Sequence, residues 1–519
     1  MALPASAYRQ SEAARWQDEY SLHLQQRLQA SLDYVRTSPG SQVRAHVRSF
    51  FTLLDEARRY PALHKSCLDL IQTLHPLPLR WGYGYLWQTQ LRFGLEQLTD
   101  VDLCASYHND LAEIHFFSGE FEKAIAEIRA VTDLESSQPT QIARSGHILF
   151  NCHRSMGNPD QGDEVLRQHN AAFSLAQNVR QVPPELARGW LILNQCQLEL
   201  LREQGRIEEA LSLVEDMLWL DDNQGSPDAT LTADLVTRRS TLLWMRGFYQ
   251  RSVADLLHAI DLYNCAEDVF NAEGLQSNLG LVYWTMGELE HAETSLQAAI
   301  QFYHKSGANQ LVTHDIGNMG LVHFARGNLQ AALDWTQEHI AHAQKIGFIS
   351  EYNRGRRNQG TMLYYFGEYE QAMQELNVAH NYYEHRGSRD GFGLDVIWNA
   401  CCLYQMGQKE RALADMRKIV DWSVEMASPV LEAVSRRSLA YFLPPEEKLP
   451  QLERCIELSK RMERKLEKAA VLLTMAQVMP AESRQQTWQA GVELLTKIGA
   501  AAWLEGHSID NPPYIPTLV

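Results

Sequence analysis

Gly247, Gly287, Gly327, Gly367 and Gly407 stand forty residues apart, and Ala292, Ala332, Ala372 and Ala412 each follow one of the last four by five positions. A period of this length belongs to a repeating supersecondary unit, and such a unit must bury its apolar face against its neighbours. Each unit predicts a helix, a tight turn at the glycine, and a second helix. A chain of 519 residues would otherwise be divided into several globular domains, but a solenoid runs this long as one body.

Within a unit the periodicity is helical. Leu275, Leu279, Val282 and Met286 form one stripe of residues 275 to 286. Glycine then ends that helix because it takes the left-handed conformation at little steric cost. In the second helix, 289 to 304, Ala292, Leu296, Ala299 and Ile300 face the first, and the recurrent alanine marks a close crossing. The same turn signal extends backward at irregular spacing through Gly205, Gly157 and Gly119. Eight helix pairs are expected between residues 101 and 425, with a loop at 221 to 230. Residues 1 to 100 are read as an N-terminal helical cap or worn repeats. Residues 426 to 519 are read as a C-terminal helical cap whose last stretch, Gly506 to Val519, is an extended tail on the surface.

The regular units resemble the tetratricopeptide repeat. The small and alanine positions of that family are matched by Gly280, Gly287, Ala292 and Ala299, then Gly320, Gly327 and Ala332, then Gly360, Gly367, Ala372 and Ala379, then Ala400, Gly407 and Ala412, with Tyr283 in an aromatic place. The longer period is similar to that of kinesin light chains, Pins-type adaptors and the sensor domain of MalT-type regulators. The resemblance implies an all-α, right-handed superhelical solenoid of antiparallel helix pairs, with the first helix of each pair lining the concave face. It also implies a non-enzymatic scaffold or sensor that grips an extended peptide or protein segment. The alternative it leaves open is the ligand-sensing portion of a MalT-like signalling regulator, taking an oligosaccharide or peptide and working with an NTPase.

Two ladders run down the expected groove. Asn278, Asn318 and Asn358 recur two residues before the small position, with Arg238 in the same frame one unit earlier. An amide offers a donor and an acceptor together, which suits a peptide backbone. Trp244, Trp284, Phe324, Tyr364 and Tyr404 recur three residues before each turn glycine. They are either packing residues between helices or a stacking floor for ligand side chains or sugar faces. Arg354 and Arg357 share one helical face with Asn358, and His314 lies on a nearby first helix. These arginines either clamp a ligand carboxylate or pair with glutamates such as Glu351.

Composition narrows the function. A net charge of -17 argues against nucleic acid and anionic membranes as partners. No apolar run has the length of a membrane span, and Met1 to Arg9 lacks the pattern of a secretory signal. The eight cysteines, without a CxxC pair, read as reduced core residues of a cytoplasmic protein, and the stretch from Ile498 to Val519 resembles the end of a bacterial repeat protein. No phosphate loop, nucleophile elbow or HExxH helix is present, so no catalytic residue, cofactor or metal is expected. His339 and His342 read as surface residues, and Gly387, Gly391 and Gly393 as an inter-repeat turn.

Overall fold

The computed structural model describes residues 5–134, 138–173, 179–223, 228–385, 389–426, 428–462 and 464–515. Among them no strand occurs beyond an isolated bridge between Ser508 and Asn511. Six helices come first: α1 (Ala5–Thr37), α2 (Gly40–Ala45), α3 (Val47–Ala57), α4 (His64–Leu74), α5 (Leu77–Arg80) and α6 (Gly84–Gln97). Eight antiparallel pairs then fill residues 101 to 425. They are α7 (Val101–Phe117) with α8 (Phe121–Asp133), α9 (Pro139–Ser155) with α10 (Pro159–Phe173), α11 (Pro184–Glu203) with α12 (Ile207–Asn223), and α13 (Ala229–Met245) with α14 (Tyr249–Cys265). After these come α15 (Val269–Met286) with α16 (Leu289–Ser306), α17 (Asn309–Arg326) with α18 (Leu329–Lys345), α19 (Ile349–Tyr365) with α20 (Tyr369–His385), and α21 (Arg389–Gln405) with α22 (Lys409–Glu425). Pairing continues through α23 (Pro429–Phe442) with α24 (Pro445–Met462) and α25 (Lys465–Ala476) with α26 (Ala481–Lys497). No helix among the described residues is long and apolar enough to cross a membrane.

The repeat geometry follows from the glycines and alanines. Gly287 sits at φ 76°, its N–H bonding Trp284 O at 3.0 Å and the next N–H bonding Tyr283 O at 2.8 Å. This left-handed cap satisfies the last carbonyls of the helix while turning the chain back. Ala292, Ala332, Ala372 and Ala412 are fully buried at the crossings. Gly280 and Gly360 are small for the same reason: a Cβ there would lie 2.7 Å from Leu296 and 2.8 Å from Leu376, respectively.

The superhelix closes on itself. Helix α5 touches α15, α7 touches α17 and α9 touches α19, so each turn returns on the first after five pairs. Phe117 meets Phe270 with ring centroids 5.6 Å apart, and Phe121 meets Phe348 at 5.8 Å. The concave face therefore becomes an interior.

Several expectations need correction. The tail leaves the surface over its last described residues: Ser508, Asp510 and Asn511 are exposed, but Pro512, Pro513, Tyr514 and Ile515 are buried, Tyr514 among residues of α19, α21 and α23 and Ile515 in the neighbouring cluster. Gly391 and Gly393 are inside α21, while Gly387 lies outside the described residues. The expected loop at 221 to 230 is helical at both ends, with 224–227 outside the described residues. Seven of the cysteines are buried, but Cys265 is exposed. His339 is fully buried, because Glu351 supplies the partner that its ring needs away from water.

Candidate functional site

First helices of successive pairs turn their polar residues inward, where two adjoining cavities lie. The larger, about 730 Å³, spans the inner faces of α7, α9, α11, α13 and the start of α15. The smaller, about 480 Å³, spans α9, α11, α13, α17 and α19. Phe116 and Asn151 line both, so the two cavities adjoin. Volumes of this size suit a small ligand or a short segment of chain.

The larger cavity is rich in carboxylates. Arg144 bonds Asp110 at 2.7 Å and Glu113 at 3.1 Å, and His75 also bonds Asp110. Asp228 caps α13 and pairs with Arg188 at 2.6 Å. Asp268 caps α15 through Asn271 N at 3.1 Å. Asp234 accepts the Tyr263 hydroxyl, and burial pushes its pKa up to about 7. Burial likewise raises Asp268 and lowers His147 to about 3, with Arg238 and Arg144 adding to the latter shift. Arg238 faces these acids with only a 3.2 Å bond to Gln195.

The smaller cavity is organised around Glu351. Its carboxylate meets His339 Nε2 at 3.0 Å, Arg354 Nε at 2.7 Å and His314 Nδ1 at 3.3 Å. Burial pushes this carboxyl up, but Arg354 and the two histidines outweigh it and hold Glu351 well below the usual carboxylate range. Arg354 then reaches Asn318 Oδ1 at 2.9 Å and His314 O at 3.0 Å. Arg357 lies 2.9 Å from Asp395, a charge contact without hydrogen-bond alignment, and stands 4.1 Å over the Tyr383 ring. Burial raises Asp395 to about 6 even with that arginine beside it.

The sequence-derived residues thus divide. His314, Arg354, Arg357 and Trp244 line the smaller cavity and Arg238 the larger. Asn318 is buried and committed to Arg354, Asn278 is half-buried, and the Asn358 amide nitrogen is buried without a partner. Arg354 is hydrogen-bonded to Glu351, whereas Arg357 has Asp395 beside it in charge contact alone.

The aromatic ladder is a packing seam between first helices. Trp244 Nε1 donates to Thr285 at 2.9 Å and Trp284 Nε1 to Leu321 O at 3.1 Å. Phe324 packs edge-on to Tyr365 and Trp503, Tyr364 accepts from Gln405 at 3.1 Å, and Tyr404 donates to Phe442 O at 3.3 Å. Trp284, Phe324 and Tyr364 are buried, while Trp244 and Tyr404 are half-buried and Trp244 alone of the five lines a described cavity. The forty-residue spacing that made them conspicuous is the spacing of the helices they rivet together.

The carboxylates of the larger cavity were not read from the sequence. One signal was there: Asp228 and Asp268 are forty apart, each capping a first helix. Asp110, Glu113 and Asp234 carry no such register. Among the described residues no group of three or more His, Cys, Asp and Glu is arranged to hold a metal ion.

Residues 275–306 match the family model of the tetratricopeptide repeat. That unit is a tetratricopeptide repeat, and the helix pairs around it share its helix–turn–helix form. No curated protein matches the chain in sequence. Among solved structures, this repeat protein is similar to a Rap protein complexed with competence and sporulation factor. The TM-score is 0.53 at 12% identity, covering 71% of this chain and 99% of that one. It is also similar to the Rap conjugation gene regulator of the plasmid pLS20 in complex with the Phr* peptide, at 11% identity and TM-score 0.45, over 75% and 96% of the two chains. A third is a signal transduction ATPase (STAND) protein with a tetratricopeptide repeat sensor from Pyrococcus horikoshii, at 14% identity and TM-score 0.36, over 88% and 72%. At such identities the likeness is one of fold.

Proposed function

We propose that this tetratricopeptide repeat protein is a non-enzymatic binding protein that takes an extended peptide or protein segment into its interior. The observation that carries the reading is the adjoining pair of cavities lined by first helices and supplied with amide, guanidinium and carboxylate groups. A peptide presents alternating donors and acceptors together with charged groups, so it matches such a lining, whereas a stacked sugar would find only the half-buried Trp244 of the ladder on a cavity wall. The Rap protein of the same fold, solved with competence and sporulation factor, supports this use of the architecture.

Arg238 is the residue on which the reading turns, because it lines the larger cavity and, among the described residues, no carboxylate is in ion-pair contact with it. The test is a screen of a randomised peptide library on the immobilised full chain, followed by titration calorimetry of recovered peptides against the wild type and Arg238→Gln. Saturable binding weakened about tenfold in the variant supports the reading, since a hydrogen bond to a charged group contributes about 1.5 to 3 kcal/mol. A library that yields no peptide competing for the interior overturns it.

A further inference from the structure

The segment Ser508–Ile515 is attached to the array as a bound peptide would be. Among the described residues, no backbone–backbone hydrogen bond joins residues 512 to 515 to any helix. The helices instead recognise this extended segment with side chains. Tyr441 donates its hydroxyl to Pro512 O at 3.3 Å, and Tyr365 donates to Tyr514 O at 2.8 Å. The phenol of Tyr514 enters a pocket in which its hydroxyl donates to Ser438 Oγ at 2.9 Å and lies 3.4 Å from Cys401 Sγ. The walls are aromatic: Tyr365 lies nearly parallel to the Tyr514 ring at 6.5 Å, while Tyr441 and Trp398 stand at 4.7 and 5.9 Å. Arg437 adds its guanidinium 5.4 Å from the centre of the same ring. Ile515 is fully buried in the neighbouring cluster.

These contacts amount to a recognition code. Two hydroxyls read backbone carbonyls two residues apart, one polar-tipped pocket reads a tyrosine, and an apolar socket reads the residue after it. The prolines hold the segment extended before it binds, which lowers the ordering cost. None of the residues named lines either cavity, so the site stands apart from the one described above and does not rest on that reading.

We propose that the inner ends of α19, α21 and α23 form a second peptide site, specific for a Pro-Pro-Tyr-aliphatic segment and occupied in cis by the chain's own residues 512–515. The resting occupant exchanges with a segment of the same kind on another molecule. A tethered occupant competes at an effective concentration in the millimolar range, so a free segment gains access when the tether's own side chains are removed.

The test uses the full chain carrying Tyr514→Ala and Ile515→Ala, and a fluorescent octapeptide of sequence Ser508 to Ile515. Anisotropy titration is expected to show the octapeptide binding this variant at least about tenfold more tightly than the wild type, given that competition. An octapeptide bearing the Tyr514→Ala change is expected not to bind. Equal binding to both chains, or none to a variant that keeps its helical circular dichroism, overturns the proposal. Should the variant fail to fold, hydrogen exchange on the wild type decides the matter. Amides of Tyr514 and Ile515 whose exchange quickens at least about tenfold on adding excess octapeptide, with those of α21 and α23 unchanged, indicate an occupant that leaves a folded site, and exchange indifferent to the octapeptide ends the proposal. Exchange of these amides only together with the two helices makes the segment an integral part of the core and ends the proposal.

Discussion

Arg437 on α23 donates its Nε to Glu467 on α25 at 2.7 Å, and the two side chains are 1% and 2% exposed. The pair joins two first helices in the part of the chain where the forty-residue register has faded. Removing one member of a buried pair leaves an uncompensated charge, which costs about 3 to 5 kcal/mol. Glu467→Leu is therefore expected to lower the unfolding midpoint sharply in urea followed by circular dichroism. The double change Arg437→Met with Glu467→Leu is expected to recover much of that loss, and a double variant as unstable as the single one would contradict this account.

Asp315 on α17 is wholly buried beside Ser277, whose hydroxyl it accepts, with His314, Arg354 and Glu351 as the charged groups around it. Burial pushes its pKa up to about 7. The folded state then holds a proton that the unfolded chain releases near pH 4, so stability from this group falls as pH rises from about 4 to about 7. Asp315→Asn is expected to remove that loss, which amounts to about 4 kcal/mol above pH 7 as an upper figure. Its gain in melting temperature over the wild type should be larger at pH 7.5 than at pH 5. A gain independent of pH would place the effect elsewhere.

Gly367 and Gly119 separate the local cost of a turn from the closure of the superhelix. Both take φ near 80°, but nothing lies within 4 Å of a Cβ at Gly367, whereas at Gly119 it would stand 2.8 Å from Ile346 across the superhelical turn. Gly367→Ala is expected to cost only the left-handed penalty of about 1 to 2 kcal/mol. Gly119→Ala adds overpacking of about 1 to 3 kcal/mol and should be the less stable in chemical denaturation. Equal losses would argue that the two turns of the superhelix do not touch in solution.

Trp284 and Arg238 test the division between packing and recognition. Trp284→Ala empties a buried site and is expected to destabilise by about 3 to 5 kcal/mol. Arg238→Gln, on the cavity wall, should leave the melting temperature within a few degrees while weakening peptide binding. Thermal melts of the two variants measured side by side check the contrast, and a stable Trp284→Ala chain would restore the ladder as a candidate ligand surface.

Much of the architecture was legible because local requirements repeat. A left-handed turn demands glycine, a close crossing demands alanine, and both recur at Gly287 and Ala292, Gly327 and Ala332, and onward. The candidate site was legible only in part. Arg354 and Arg357 were found through their helical face and His314 through its place on a nearby first helix, but the residues that engage the arginines, Glu351 apart, are not adjacent in sequence: Asn318 and Asp395 come from the helix pairs on either side. The aromatic ladder was visible as a pattern, yet whether a ring faces water or a neighbouring helix depends on how far each pair rotates against the next.

What the sequence by itself determined is the unit: a helix, a glycine turn and a second helix, stacked through small residues, because these depend on conformational preferences and contacts within forty residues. What only the tertiary structure decided is where the groove goes. Contacts such as Phe117 with Phe270 and Phe121 with Phe348 join residues that share no period, and they fold an open concave face into half-open cavities. The fate of residues 512–515 was settled at the same level, since an apolar segment without helical period settles wherever distant helices offer hydroxyls for its carbonyls and a pocket for its tyrosine.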